Sequence, residues 1–246
     1  MGAAKAGLEW HGSTLLFRAA AVLARAVDGP VVVVAAPGQE LPDLPDGVGV
    51  VADPVEGLGP LRGLATGLAA LDGRADDVFV CSTDLPFLHP AFVRRVLLAV
   101  TDGVDVALPV AHGFRQPLAA AYRTGIAGLV ADLVARGDRK PGMLFQHCAV
   151  TRLDHDALLA DPDLARHDPE LASVVNVNTP EDYAAARDRE PPEIPVDGHG
   201  TVRAATLARA AEALGLTCPH VFLNGDPVTD GRLPLVTGDT LRVTGR

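Results

Sequence analysis

An apolar run that ends on an acid, Val78-Phe79-Val80-Cys81-Ser82-Thr83-Asp84-Leu85-Pro86, is the strongest chemical signal in the sequence. The run reads as a buried strand, and Pro86 forces the chain out of the sheet just after Asp84. In open α/β sheets ligands bind outside the carboxyl ends of the strands. A carboxylate there is placed to hold Mg²⁺ against a triphosphate. The plain alternative is an aspartate that caps the next turn or helix. A second run, Val51-Ala52-Asp53, leads into a glycine-rich loop, Gly57-Leu58-Gly59-Pro60-Leu61-Arg62-Gly63. Its glycines permit close backbone approach to a ligand, and a following helix would offer an N-terminus that favours anions. Ordinary turn chemistry is the competing reading. Asn176 and Asn178 alternate along a short apolar stretch and share one face if it is a strand. Thr179 can cap the helix that Pro180 begins. Lys5 says nothing by itself.

The elements that must position these groups follow from periodicity. From Ser13 to Val27 apolar residues recur at helical spacing, with Ser13 or Thr14 to cap the start and Gly29-Pro30 to stop the end. Val31 to Val34 is an unbroken β-branched run, as in a strand covered on both faces. Strands at Val48–Ala52, Val78–Cys81 and Val104–Val110 alternate with helices at Leu61–Leu71 and from about Pro90 to Val100. Val174–Asn178 reads as one more short strand. This alternation predicts an α/β domain built on a doubly wound, mainly parallel sheet, spanning residues 1–188. Arg187 to Glu193 is charged and proline-rich, which predicts a linker over 189–200. Beyond it a small α+β domain is expected over 201–246, with a strand that could begin at 193. Its pattern is a strand at Ile194–Val196, a helix at about Val202–Leu214 and a strand at His220–Leu223. An Asn224-Gly225-Asp226 turn follows, then short strands near Leu233–Val236 and Thr240–Val243. So short a segment builds only a minimal core and should lean on the larger domain or on a partner.

Composition narrows the function classes. The 246 residues are 48% apolar and carry a net charge of −10, with the two signs interspersed. No basic footprint for nucleic acid is present, so phosphates must be bound by local groups. The three cysteines, Cys81, Cys148 and Cys218, form no CxxC pair and read as reduced, mostly buried thiols. Neither a leader pattern nor an apolar stretch of about 18 residues occurs, which points away from membranes and toward the cytoplasm.

Taken in order, Lys5, Asp53, Gly59-Pro60-Leu61-Arg62-Gly63, Asp84-Leu85-Pro86, Gln116-Pro117-Leu118 ahead of Ala121-Tyr122-Arg123, and Asn176-Val177-Asn178-Thr179-Pro180-Glu181-Asp182 resemble the molybdenum cofactor guanylyltransferases. The resemblance runs from residue 1 to about residue 188 and lies within the wider nucleotidyltransferase superfamily. It implies a Rossmann-like sheet of the nucleotide-diphospho-sugar transferase type. It also implies Mg²⁺-dependent transfer of GMP from GTP to molybdopterin, with release of pyrophosphate. By that resemblance Lys5 contacts the nucleotide phosphates, and Asp53 with Gly59, Pro60 and Leu61 belongs to the guanosine site. Asp84 holds Mg²⁺, and Asn176 and Asn178 lie on the molybdopterin side. Other cofactor-biosynthesis proteins and molybdoenzymes are the implied partners. The family opens with a strand and a glycine-rich loop ahead of its RMG..K motif. This sequence begins inside that motif, which suggests a start codon assigned downstream of the true one. Ala35 and Ala36 follow Val34 where the family can carry a base-contacting asparagine. The same chemistry with CTP, or with a sugar phosphate as acceptor, is the nearest rival. A non-catalytic nucleotide-fold binding protein is the rival from another class. In the tail, Phe222–Val228 and Leu235–Asp239 resemble a β-grasp domain of the sulfur-carrier type. A carrier ends in Gly-Gly, whereas here Gly245 is followed by the bulky cation of Arg246, which implies that the tail is not a working carrier.

Overall fold

The computed structural model describes residues 5–53, 59–216 and 220–244. Met1 to Ala4, part of the glycine-rich loop (54–58), Cys218 and the Gly245-Arg246 ending lie outside them. A small hairpin of β1 (Glu9–Trp10) and β2 (Ser13–Thr14) comes first and turns on His11 and Gly12, both at positive φ. Thr14 then caps α1 (Leu15–Ala26), its hydroxyl accepting the Phe17 amide at 3.1 Å. β3 (Val32–Ala35) and β4 (Gly49–Ala52) pair in parallel, and α2 (Pro60–Leu71) starts on a proline, whose missing amide costs nothing there. The chain continues through β5 (Asp77–Cys81), α3 (Pro90–Leu97), β6 (Val106–Ala111), β7 (Phe114–Arg115) and β8 (Ala119–Arg123). Helices α4 (Ala127–Ala135) and α5 (Pro141–Leu144) precede β9 (Val150–Leu153), and α6 (His155–Leu159), α7 (Pro162–His167) and α8 (Pro180–Arg187) follow.

The sheet carries helices on both faces, as the α/β pattern requires. Along β8, Ala119 and Ala121 face Phe92 and Val96 of α3, while Ala120 and Tyr122 face Leu68 of α2 and Val130 of α4. This period of two lets one strand fill two cores. β8 runs antiparallel between β5 and β6, and β9 runs parallel to β6, so the sheet is mixed. β5, β6 and β9 share one direction and present their carboxyl ends together.

Among the described residues no strand joins β3 to β5. A cleft of about 550 Å³ separates them, lined by Leu16, Ala19 and Leu23 of α1, Val32 and Val34 of β3, and Val78 of β5. Helix α2 packs against β3, β4 and β5, bridging the cleft. The valine run expected to be fully covered is therefore only half-buried from Val32 to Val34. Among the described residues both bordering strands leave one edge of backbone groups without a ladder.

Val174–Asn178 is not a strand. Ala172–Val174 forms a 3-10 turn, and Val177 gives its amide to the Asp84 carbonyl rather than to a ladder. The tail forms its own sheet from β10 (Glu193–Asp197), β11 (Gly200–Arg203), β12 (His220–Leu223), β13 (Asp226–Val228) and β14 (Leu241–Thr244), with α9 (Leu207–Ala213) across it. The strand order is β11-β10-β14-β12-β13, with β10 and β14 parallel. The sheet starts inside the stretch expected as linker. Helix α9 starts later than Val202 because Gly200–Arg203 hairpins onto β10. Leu233–Val236 forms no strand, only a bridge from Pro234 to Thr206. Asn224-Gly225 turns the β12–β13 hairpin with both residues at positive φ. Ile194, Val196, Leu207, Val221 and Leu241 make a separate core. The tail rests on α1: Arg25 donates to the Pro234 carbonyl at 2.8 Å, and the Arg232 guanidinium lies 4.5 Å from the Phe17 ring. No helix among the described residues is long and apolar enough to cross a membrane.

Candidate active site

Asp84 lies just past the carboxyl end of β5. The Ser82 amide donates to the Leu118 carbonyl at 3.0 Å, carrying the pairing with β8 one step further, and the turn then begins. Leu85 and Pro86 are buried, so the chain dives back into the core and leaves Asp84 at the rim. The Arg18 guanidinium donates to the Pro86 carbonyl and fixes this descent. Burial pulls the pKa of Arg18 down to about 10.

Three residues far apart in sequence meet here. Lys5 donates from Nζ to Asp84 Oδ2 at 3.0 Å and to Asn178 Oδ1 at 2.8 Å. The Ser82 hydroxyl donates to Asp84 Oδ1. The Val177 amide donates to the Asp84 carbonyl at 3.0 Å, which ties the asparagine segment to the aspartate loop. Asn178 is itself anchored, because Asp182 accepts its amide at 3.1 Å and closes a capping box with Thr179 at the start of α8. The capping reading of this motif thus holds alongside the contact with Lys5. Asn176 and Asn178 are both exposed and flank the buried Val177, and Asn176 makes no direct contact with Lys5 or Asp84 among the described residues.

A second group sits at the end of β4. Arg62 donates from Nε to Asp53 Oδ1 at 3.0 Å, and the Asp53 amide donates to the Ala35 carbonyl at 2.7 Å. Gly59 has a φ of +82°, and a Cβ on it would lie 2.9 Å from the Arg139 carbonyl oxygen. The Leu61 amide donates to that same oxygen at 3.2 Å. Gly59 is thus needed for a close approach between the α2 start and residues 136–140, where Arg136, Arg139 and Lys140 are exposed. Gly59 and Pro60 are also exposed, whereas the Leu61 side chain is fully buried in the core. No direct contact among the described residues joins Asp53 to Asp84. Pro60 and Gly63 on one side and Ser82 and Thr83 on the other line the same cleft.

Ser82, Arg62 and the basic 136–140 loop were not singled out as site residues in the sequence. Arg62 lies inside the glycine-rich segment and Ser82 two residues before Asp84, so proximity was the available signal. The contact between Gly59 and Arg139 leaves no local trace. Burial first, then the charge of Asp84, pushes the Cys81 thiol up to about 12, away from the thiolate form. Among the described residues no group of three or more His, Cys, Asp or Glu could hold a metal alone. A lone carboxylate with a hydroxyl beside it does fit Mg²⁺, which takes one or two carboxylates and fills its shell with phosphates and water.

Residues 1–155 match the family described as MobA-like NTP transferase domain. A protein of Mycobacterium tuberculosis named "Probable molybdenum cofactor guanylyltransferase" is 40% identical over 157 residues, covering 62% of this chain and 76% of that protein. One of the same name from Mycobacterium avium is 35% identical over 175 residues, covering 70% and 80%. The crystal structure of molybdopterin-guanine dinucleotide biosynthesis protein A from Archaeoglobus fulgidus is similar in fold, with a TM-score of 0.55 at 22% identity over 76% of this chain and 90% of that one. So is a 4-diphosphocytidyl-2C-methyl-D-erythritol synthase from Anaerococcus prevotii, with a TM-score of 0.54 at 12% identity over 73% and 90%.

Proposed function

Since the chain belongs to the MobA-like NTP transferase family and is a nucleotidyltransferase, we propose that it transfers GMP from GTP to molybdopterin with release of pyrophosphate. The observation that carries this reading is Lys5 held between Asp84 and Asn178. One cation, one carboxylate and one amide meet at the carboxyl end of a strand, where a triphosphate and a second substrate can both reach them. The mycobacterial relatives named for guanylyl transfer favour GTP over CTP.

An oxygen of the acceptor's phosphate attacks the α-phosphorus of GTP. The bond from that phosphorus to the bridging oxygen breaks, and pyrophosphate leaves with the electron pair. The acceptor supplies the nucleophile, so the protein needs none. Mg²⁺, when bound, neutralises and orients phosphate oxygens. Asp84 is the residue to hold it, with the Ser82 hydroxyl beside it. Lys5 stabilises charge that develops on the phosphates, and its two anchors keep the ammonium in place. Asn178 and Asn176 face the acceptor side. Asp53 offers its carboxylate to the N–H donors of guanine, with Gly59 and Pro60 shaping that end and Leu61 anchoring the start of α2 in the core. Arg139 and Lys140 stand beside Gly59 and add positive charge within an acidic protein. A reaction that consumes GTP with Mg²⁺ as cofactor suits the cytoplasm, and molybdoenzymes would use its product.

The test is pyrophosphate release with molybdopterin, Mg²⁺ and either GTP or CTP. Turnover with GTP well above that with CTP is expected. Faster turnover with CTP would make the enzyme a cytidylyltransferase, and no turnover with either would leave a nucleotide-binding protein.

A further inference from the structure

Thr206 occupies the N-cap position of α9, where a threonine oxygen ordinarily accepts an amide of its own helix. Its side chain makes no such bond. The hydroxyl instead donates to the His11 carbonyl at 3.2 Å, across 195 residues of sequence. Forgoing the cap gives up a stabilising bond within α9, and the bond to His11 takes its place. Thr206 itself is buried, and His11 is half-buried.

His11 is the turn of the β1–β2 hairpin, held at a φ of +50°. The hairpin leads straight back to Lys5. The Leu8 amide donates to the Lys5 carbonyl at 3.1 Å, and the Leu15 amide donates to the Leu8 carbonyl at 3.0 Å. From the other side the Tyr183 hydroxyl donates to the Glu9 carbonyl, and Arg187 pairs with Glu9 at 2.8 Å. The tail also grips the segment that carries Asp84. His89 follows that loop, caps α3 by accepting the Ala91 amide, and donates from Nε2 to the Thr237 carbonyl at 2.9 Å. Beside Thr237, Gly238 abuts the His167 ring so closely that a Cβ would overlap it. Asp239, also buried, accepts from Arg25 and, at 2.8 Å each, from Asn224 and the Val236 amide.

We infer that the C-terminal module braces the reaction centre: Thr206 and Thr237 fasten the far ends of the two segments that bring Lys5 and Asp84 together. Thr206 is then a positioning residue for Lys5, acting through the hairpin rather than on substrate. This rests on the reading of Lys5 and Asp84 as the reaction centre. A β-grasp-like tail thereby gains a role that involves no chemistry at its own terminus.

The experiment uses the full chain with T206V, T206S and R232A. Valine matches the shape of threonine but leaves the His11 carbonyl without its donor, while serine keeps the donor. A lost hydrogen bond of about 1 kcal/mol that acts on the transition state lowers kcat about fivefold, with little change in KM for GTP. T206S retains the parent kcat. R232A cuts the tail's contacts with Phe17 and Asp43, touches neither fastened segment, and leaves kcat unchanged. Amide exchange at Leu8 and Leu15 gives a readout that needs no reaction, and it quickens in T206V alone. Parent-like kcat and exchange in T206V would overturn the brace, as would an R232A loss equal to that of T206V. Should T206V not fold, T206A removes the same donor. If the parent transfers no GMP, the functional reading fails by itself, and amide exchange still decides the brace.

Discussion

Lys5 Nζ stands 3.0 Å from Asp84 Oδ2 although 79 residues separate the two. Their side chains are 29% and 14% exposed, so the pair sits at the rim of the fold, neither sealed in the core nor free in solvent. A partly solvated pair of this kind contributes about 0–1 kcal/mol. On the proposed reading, both partners would exchange each other for a phosphate and a cation at little cost. The pair is better suited to receiving a ligand than to holding the fold.

Asp84→Asn tests that view. Asparagine keeps an acceptor for Lys5 and Ser82 but removes the charge a hard cation needs. Pyrophosphate release is expected to fall about a hundredfold or more. The midpoint of thermal unfolding should move by no more than about 3 °C, since the pair contributes little. Turnover within a few-fold of the parent would make Asp84 a turn residue only.

Gly59→Ala should damage both stability and nucleotide binding. The new Cβ meets the Arg139 carbonyl oxygen at 2.9 Å at a φ of +82°, and neither backbone can yield cheaply. The expected loss is about 1–3 kcal/mol, seen as a Tm lower by several degrees. KM for GTP should rise with it, because the residues 136–140 would be pushed from the α2 start. An unchanged Tm and KM would show that the loop absorbs a side chain there.

The cleft between β3 and β5 makes a separate prediction. Two strand edges, unpaired among the described residues, face it across apolar walls, and edges of that kind accept an added strand. A chain lengthened ahead of Met1 by an apolar strand and a glycine-rich loop is expected to show slower amide exchange along β3 and β5. Calorimetric titration should show it binding GTP with Mg²⁺ more tightly. Equal, tight binding by both forms would mean that the cleft has no part in nucleotide binding.

Much of this was legible from local pattern. The acid at the end of an apolar run, the Thr14 and Thr179 caps and the Asn224-Gly225 turn each carry their cause within a few residues. Val174–Asn178 misled because its apolar alternation suits a strand, yet Val177 spends its amide on Asp84 and no ladder forms. The Val31–Val34 run promised full cover, but burial depends on a neighbour that the run itself cannot specify. The meeting of Lys5, Asp84 and Asn178 was implied only by family resemblance, since no spacing rule links residues so far apart. The Thr206–His11 bond was illegible for the same reason.

Acidification should loosen the tail's contact with the catalytic domain through His89. Burial is the main influence on this histidine and lowers its pKa, outweighing the Thr237 carbonyl, Asp168 and Asp239, which act in the other direction. Geometry agrees, because Nδ1 accepts the Ala91 amide while Nε2 donates to Thr237, so the folded protein holds the neutral ring. A proton on Nδ1 would face an N–H group, and the His167 ring stacked 5.7 Å away acts in the same, lowering direction. The sign follows from the lowered value. The unfolded chain takes up this proton first, near the ordinary histidine value of 6.5, so the stabilisation is complete above that pH and is lost as pH falls from there through the folded value. His89→Asn keeps an oxygen to cap α3 but cannot titrate or span to Thr237. At about pH 7.5 the variant should therefore melt below the parent. Between about pH 7.5 and about pH 5.5 the parent's Tm should fall more steeply than the variant's. His11, whose pKa burial also lowers, is present in both proteins, so the difference between the two slopes isolates His89. Parallel slopes in calorimetry across that range would show that His89 titration is not coupled to the fold.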